Sequence, residues 1–264
     1  MKLIENICYG KAQHPEQYLD IYLPDRDSFK VFIYMHGGGI ESGDKARGCQ
    51  EVAKCITEHG HCFVSINYRM YPQAVYPEFI RDSAEAVGWV CKNISEYGNC
   101  EGIYIGGSSA GGYLSMMLCF DDKYLAPYKI PQGVIKGYIH DAGQPTTHFN
   151  VLRERGVDSR RVIIDEAAPL YHIGKATEYP PMLFIVSDND MANRYEQTQL
   201  VLSTMKHFGY DENKIEYRLM HGTHCHYVRT EVFAKMICEF LEKSYNSIFC
   251  GTDFSLKSQR EIEL

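Results

Sequence analysis

Hydrophobic positions along the chain fall into short blocks of two kinds. The nearly continuous blocks, at 31–35, 62–67, 102–105, 134–140 and 180–186, carry at most one charged side chain each. Continuous apolar runs of this length, bounded by glycine, proline or polar residues, predict strands buried on both faces. Two blocks with interspersed polar residues, at 4–9 and 18–23, predict opening strands, and a mixed block at 215–220 predicts a last strand.

The other kind repeats every three to four residues. Val52, Cys55 and Ile56 mark a helix over 50–59, with Gly60 as its stop. Phe79, Ile80, Ala84, Val87, Val90 and Ile94 mark a longer helix over 77–97. Helices are also expected over 113–120, 195–208 and 228–245. Strands alternating with helices predict an α/β fold: a mostly parallel central sheet with helices on both faces. Residues 143–179 break the rhythm and predict a short helical lid over the sheet. Nothing splits the chain, so 1–264 is expected to be a single domain, with a polar, loosely ordered tail at 251–264.

Glycine makes two of the strand ends unusual. The 102–105 strand runs into Gly107-Ser108-Ser109-Ala110-Gly111-Gly112 and leaves as a helix. G-x-S-x-G between strand and helix is the setting of a nucleophile elbow, where a tight turn presents the serine hydroxyl above the sheet. The 31–35 strand ends in His36-Gly37-Gly38-Gly39. Three glycines cost backbone entropy, which a loop aiming its N–H groups at a ligand oxygen would justify. His36 is expected to orient this loop.

A serine hydroxyl is a weak nucleophile, and it needs a base held by an acid. Asp188 and Asp190 follow the 180–186 strand; His221, His224 and His226 follow the 215–220 strand. One of the aspartates could instead cap the next helix. The three histidines lack the spacing of known zinc motifs, so no metal and no cofactor is expected. His140, His148 and His172 are expected in packing or surface roles.

Net charge is −7, hydrophobic residues make up 45 %, and no Lys/Arg-rich block appears. These values exclude disorder and argue against nucleic acid or an anionic membrane as partner. The ten cysteines are scattered with no C-x-x-C, and no leader-like apolar stretch opens the chain. Reduced thiols and a cytoplasmic location are the expectation.

Taken together, these blocks resemble the α/β-hydrolase superfamily, and within it the hormone-sensitive-lipase-like and small acetyl (carbohydrate) esterase group. Beside the glycine loop and the elbow, Ile66-Asn-Tyr-Arg-Met-Tyr-Pro72, Pro77 with Asp82, and Ala168-Pro-Leu-Tyr171 are similar to family segments. The resemblance implies the α/β-hydrolase fold and a triad of Ser109, Asp190 and His224. It also implies an oxyanion hole from the N–H groups of Gly38, Gly39 and Ala110. Only 35 residues precede the glycine loop, which implies no large N-terminal cap and an open site. The expected activity is hydrolysis of short-chain carboxylic esters through an acyl-enzyme. Tyr68, Tyr71, His148 and Tyr227 are expected near the mouth, which would suit an acetylated sugar. An amide hydrolase such as an arylformamidase or small peptidase is the alternative; a non-catalytic binding protein on the same fold is a third reading. The expected partner is a small-molecule ester, with a homodimer left open.

Overall fold

A computed structural model describes residues 1–11 and 14–243. The expected tail at 251–264 and the last residues of the final predicted helix lie outside them. In chain order the elements are β1 Lys2–Cys8, β2 Tyr18–Leu23, β3 Ser28–Met35, α1 Gln50–Glu58, β4 Cys62–Ile66, α2 Glu78–Asn93, β5 Asn99–Ser108 and α3 Ala110–Phe120. There follow β6 Ile135–Asp141, α4 Phe149–Glu154, α5 Pro169–His172, β7 Met182–Asn189, α6 Arg194–His207, β8 Ile215–Thr223 and α7 Glu231–Glu242.

One eight-stranded sheet runs in the order β1-β2-β4-β3-β5-β6-β7-β8. Only the pairings of β2 with β1 and with β4 are antiparallel; every pairing from β4 to β8 is parallel. The continuous apolar blocks are the strands of this parallel stretch, because helices cover both of their faces. Alternate residues serve opposite layers. Val31, Ile33 and Met35 of β3 belong to the layer of α2, α3 and α6, whereas Phe32 and Tyr34 belong to that of α1 and α7.

Every residue of α3 is buried, so this helix shows no polar stripe. It lies between the sheet and the 143–179 segment, where the Tyr113 hydroxyl donates to the Ala167 carbonyl at 2.9 Å. That segment carries α4 and α5, and Phe149 at its first helix reaches the cavity described below.

Between β4 and α2, Asp82 fixes the loop that runs past the glycine turn. Its buried carboxylate accepts from Arg69 Nε and Nη2 at 2.8 Å each, from the Arg69 N–H at 2.9 Å and from Gln17 Nε2 at 2.9 Å. Among the described residues, no helix is long and apolar enough to cross a membrane, and the nine cysteines there are free.

Candidate active site

β5 ends at Ser108 and α3 starts at Ala110, so Ser109 alone makes the turn, at φ 57° and ψ −113°. A non-glycine residue in that region is strained and needs its surroundings to hold it. The Ser109 N–H donates to the Asp141 carbonyl at 2.8 Å, which ties the turn to the end of β6. The flanking glycines are a packing necessity. A Cβ on Gly107 would stand 2.5 Å from the Met35 carbonyl oxygen, and one on Gly111 only 1.9 Å from it. The strand-turn-helix can therefore press against the end of β3 only without side chains there.

The glycine loop follows β3 directly. Gly38 has φ +117°, and a Cβ there would lie 1.9 Å from the Ser42 carbonyl oxygen. His36 lies beneath, stacked on Tyr68 with ring centroids 4.5 Å apart; its Nδ1 donates to the Gly37 carbonyl at 2.7 Å, and the Tyr68 hydroxyl donates to its own carbonyl at 2.8 Å. Burial pushes the His36 imidazole below its ordinary pKa. It thus stays neutral and holds the loop, as expected. Among the described residues, the N–H groups of Gly38, Gly39 and Ala110 donate to no protein acceptor. Ala110 has none because it opens a helix.

The loops after β7 and β8 bring the acid and the base. The Ser109 hydroxyl donates to His224 Nε2 at 2.8 Å, and His224 Nδ1 donates to Asp190 Oδ1 at 2.5 Å. The carboxylate partner assigns the tautomer. Asp190 also accepts from the N–H groups of Met191 at 2.7 Å and Ser187 at 3.2 Å. Burial alone would push its carboxyl up. The hydrogen bond and charge of His224, with the two backbone donors, outweigh that and hold it below the usual carboxylate range.

The rival residues form a separate pair. His221 Nδ1 donates to Asp188 Oδ2 at 2.6 Å, with both side chains more than 40 % exposed. His226 Nδ1 donates to the Thr223 carbonyl. Neither aspartate caps α6, whose N-cap residue is Asn193. Asp188–His221 and Asp190–His224 are thus two acid–imidazole pairs, of which the second faces Ser109.

Serine and histidine open into a cavity of about 650 Å³, lined also by Gly38, Gly39, Phe149 and Met191. The expectation that Tyr68, Tyr71, His148 and Tyr227 stand at its mouth is not met, since none of the four lines it. Tyr68 and Tyr227 are fully buried with their hydroxyls bonded inside the protein, and the buried His148 accepts from the Asn150 N–H as the cap of α4. His140 and His172 are buried packing residues.

Two groups near the site, Asp141 and Cys225, were absent from the sequence expectations. Asp141 ends β6 fully buried and accepts from the Tyr227 hydroxyl at 2.5 Å. Burial pushes its carboxyl up to about 6, against the pull of the Tyr227 hydroxyl and of His224. Cys225 places its sulfur 3.6 Å from His224 Nε2. An acid closing a strand block was a readable signal for Asp141; Cys225 carried none, because Asp141, which its sulfur faces, lies 84 residues away.

Known proteins resemble this chain in sequence and in fold. The BD-FAE family model matches residues 19–129. The probable carboxylic ester hydrolase LipM of Mycobacterium tuberculosis (strain ATCC 25618 / H37Rv) is 38 % identical over 114 residues, 41 % of this chain and 26 % of LipM. Esterase LipQ of the same strain is 25 % identical over 268 residues, covering 91 % of this chain and 62 % of LipQ. The chain thus spans about a quarter to three fifths of these relatives' lengths. A solved structure described as a truncated form of carbohydrate esterase from gut microbiota superposes with a TM-score of 0.73 at 19 % identity, covering 91 % of this chain and 95 % of that one. With this sheet order, a serine turn after β5 and a glycine loop after β3, the chain has the α/β-hydrolase fold, and its first half is similar in sequence to esterases of the hormone-sensitive-lipase-like group.

Proposed function

We propose that the protein hydrolyses carboxylic esters with small acyl groups, with Ser109 as nucleophile, His224 as base and Asp190 as the acid that orients it. The observation that carries this reading is the unbroken hydrogen-bond chain from Asp190 through His224 to Ser109, ending beside unpaired backbone donors. LipM and LipQ, whose names describe ester hydrolases, support the same reaction class.

The steps follow from the donors and acceptors. Ser109 Oγ forms a bond to the ester carbonyl carbon while its proton passes to His224 Nε2. Asp190 stabilises the resulting imidazolium and holds its orientation. The carbonyl oxygen becomes an oxyanion and accepts from the N–H groups of Gly38, Gly39 and Ala110. Loss of one such donor costs about 3 kcal/mol in comparable sites. The carbon–oxygen bond to the alcohol breaks, and the alcohol leaves with the proton from His224. Water then repeats the sequence on the acyl-enzyme and releases the acid. No step calls for a metal or cofactor.

The test is Ser109→Ala on p-nitrophenyl acetate. The expected loss is at least about a thousandfold; turnover at the wild-type rate refutes the assignment. A panel of p-nitrophenyl esters of increasing acyl length reads the preference for small acyl groups. Formylkynurenine assayed alongside separates ester from amide chemistry, and a fluorophosphonate probe that fails to label Ser109 would indicate a binding protein instead.

A further inference from the structure

The cavity above Ser109 extends beyond the reacting groups. Its lining also includes Tyr34, Val52 and Phe63, all buried, and two exposed arginines, Arg47 and Arg229. Two acidic residues also line it, Glu41 and Asp44. Both carboxylates are already engaged. Glu41 accepts from Arg153 Nη1 at 2.5 Å. Asp44 accepts from the Ala46 N–H at 2.8 Å and from Asn67 Nδ2 at 3.1 Å.

The guanidinium groups of Arg47 and Arg229 are different. Neither has a hydrogen-bond acceptor or ion-pair partner among the described residues. They come from separate loops, one preceding α1 and the other preceding α7. Gly48 makes room for one of them. It holds φ +74°, and a Cβ there would lie 2.6 Å from both Cδ and Nε of Arg229. The Arg229 side chain therefore lies directly over the residue that follows Arg47.

Both arginines are exposed at the rim of the one cavity, where solvent screens their mutual repulsion, and an anion entering it meets two cationic side chains that no carboxylate has taken. The chain as a whole is acidic, at −7, so this unpaired cationic pair runs against its background charge. Arginine is the side chain suited to two-point recognition of a carboxylate. At about 650 Å³ the cavity is also larger than an acetyl ester needs.

We propose that Arg47 and Arg229 form an anion subsite of the Ser109 cavity, and that the substrate is an ester carrying a carboxylate at some distance from the scissile bond. This rests on the reading of Ser109 as the nucleophile. The reaction is the hydrolysis already described. The carboxylate takes no part in bond making; it fixes the ester in register with Ser109. It could sit on the acyl side or the alcohol side, and the substrates of the test separate the two.

Mono-4-nitrophenyl glutarate against 4-nitrophenyl valerate puts the charge on the acyl side. 4-Acetoxybenzoate against 4-methylphenyl acetate puts it on the alcohol side. In each pair kcat/KM is measured for the wild type, Arg47→Gln, Arg229→Gln and the double variant, with melting temperatures as a folding check. The expected result, in one pair, is an anionic-to-neutral preference that falls about tenfold in each single variant and further in the double variant. Raising NaCl should erode the same preference in the wild type, because screening at 1 M acts over about 3 Å. A preference unchanged by the variants in both pairs overturns the proposal. Should the wild type turn over no ester at all, the functional reading fails by itself. The subsite is then read by free glutarate: a rise in wild-type melting temperature that the double variant lacks supports it, and no rise in the wild type overturns it.

Discussion

Replacing Asp190 by asparagine tests the site at its most specific point. The carboxylate receives three hydrogen bonds. Oδ1 takes His224 Nδ1 at 2.5 Å and the Met191 N–H at 2.7 Å, and Oδ2 takes the Ser187 N–H at 3.2 Å. An amide has one acceptor oxygen and cannot serve all three. With its oxygen toward His224, the NH₂ group faces the Ser187 N–H, donor against donor, and a buried unpaired donor costs about 1–3 kcal/mol. With the NH₂ toward His224, the imidazole must carry its proton on Nε2 and cannot accept from Ser109. Either way the negative charge that balances the imidazolium is gone. The corresponding change in a serine-protease triad lowers kcat about 10⁴-fold, or about 5.4 kcal/mol of barrier. Asp188→Asn is the matched control. Asp188 is 41 % exposed and pairs with His221 at 48 % exposure, an ion pair that solvent screens. We expect its kcat to stay within about threefold of wild type. The assay is steady-state hydrolysis of p-nitrophenyl acetate at pH 8, with circular dichroism to confirm folding. Asp190→Asn retaining more than a tenth of wild-type kcat, or Asp188→Asn losing as much as Asp190→Asn, refutes the assignment of the acid.

Three further outcomes concern the scaffold. Gly111→Ala forces a Cβ to within 1.9 Å of a backbone oxygen and should cost about 3 kcal/mol or more, a melting-temperature fall of roughly 6–12 °C; an unchanged melting temperature contradicts the packing argument for the elbow. Asp82→Ala leaves Arg69 and Gln17 without their buried acceptor, so the denaturant midpoint should shift by an amount equivalent to about 3–5 kcal/mol; a shift under 1 kcal/mol would show that the ion pair does not hold the loop. Asp141 titrates near 6 when folded and near 3.9 when unfolded. Between those values the folded state binds the extra proton, so this group's contribution falls as pH rises from about 4 to about 6 and is lowest above that, by on the order of 3 kcal/mol. Wild type should therefore lose stability relative to Asp141→Asn across that window, and a pH-independent difference denies that Asp141 titrates there.

What the chain disclosed in advance follows from which constraints are local. The continuous blocks found β3 to β7, because strands covered on both faces need apolar residues at every position. The two glycine motifs were legible for a similar reason. A close approach of backbones excludes a side chain at the residue itself, as the Met35 carbonyl does for Gly111, so the constraint is written in the sequence at that spot. Element ends were harder to place. β5 begins at Asn99 rather than 102, since Asn99 and Cys100 are held by pairing with Ser28 and Phe29, and backbone pairing leaves no hydrophobic trace. Choosing among Asp188, Asp190, His221 and His224 was beyond periodicity, because each aspartate pairs with one histidine at nearly the same separation along the chain. Asp188 and His221 lie 33 residues apart and Asp190 and His224 lie 34 apart, so spacing does not separate them; the resemblance to family segments favoured the second pair, and it is the second pair that meets Ser109. The aromatic residues expected at the mouth misled for the opposite reason. A tyrosine near a motif reads as available, yet Tyr68 and Tyr227 spend their hydroxyls on the His36 carbonyl and on Asp141. The groups left unspent in the cavity are Arg47 and Arg229, 182 positions apart. A charge is available to a ligand only when nothing else in the fold has taken it, and that can be known only after every other partner has been placed.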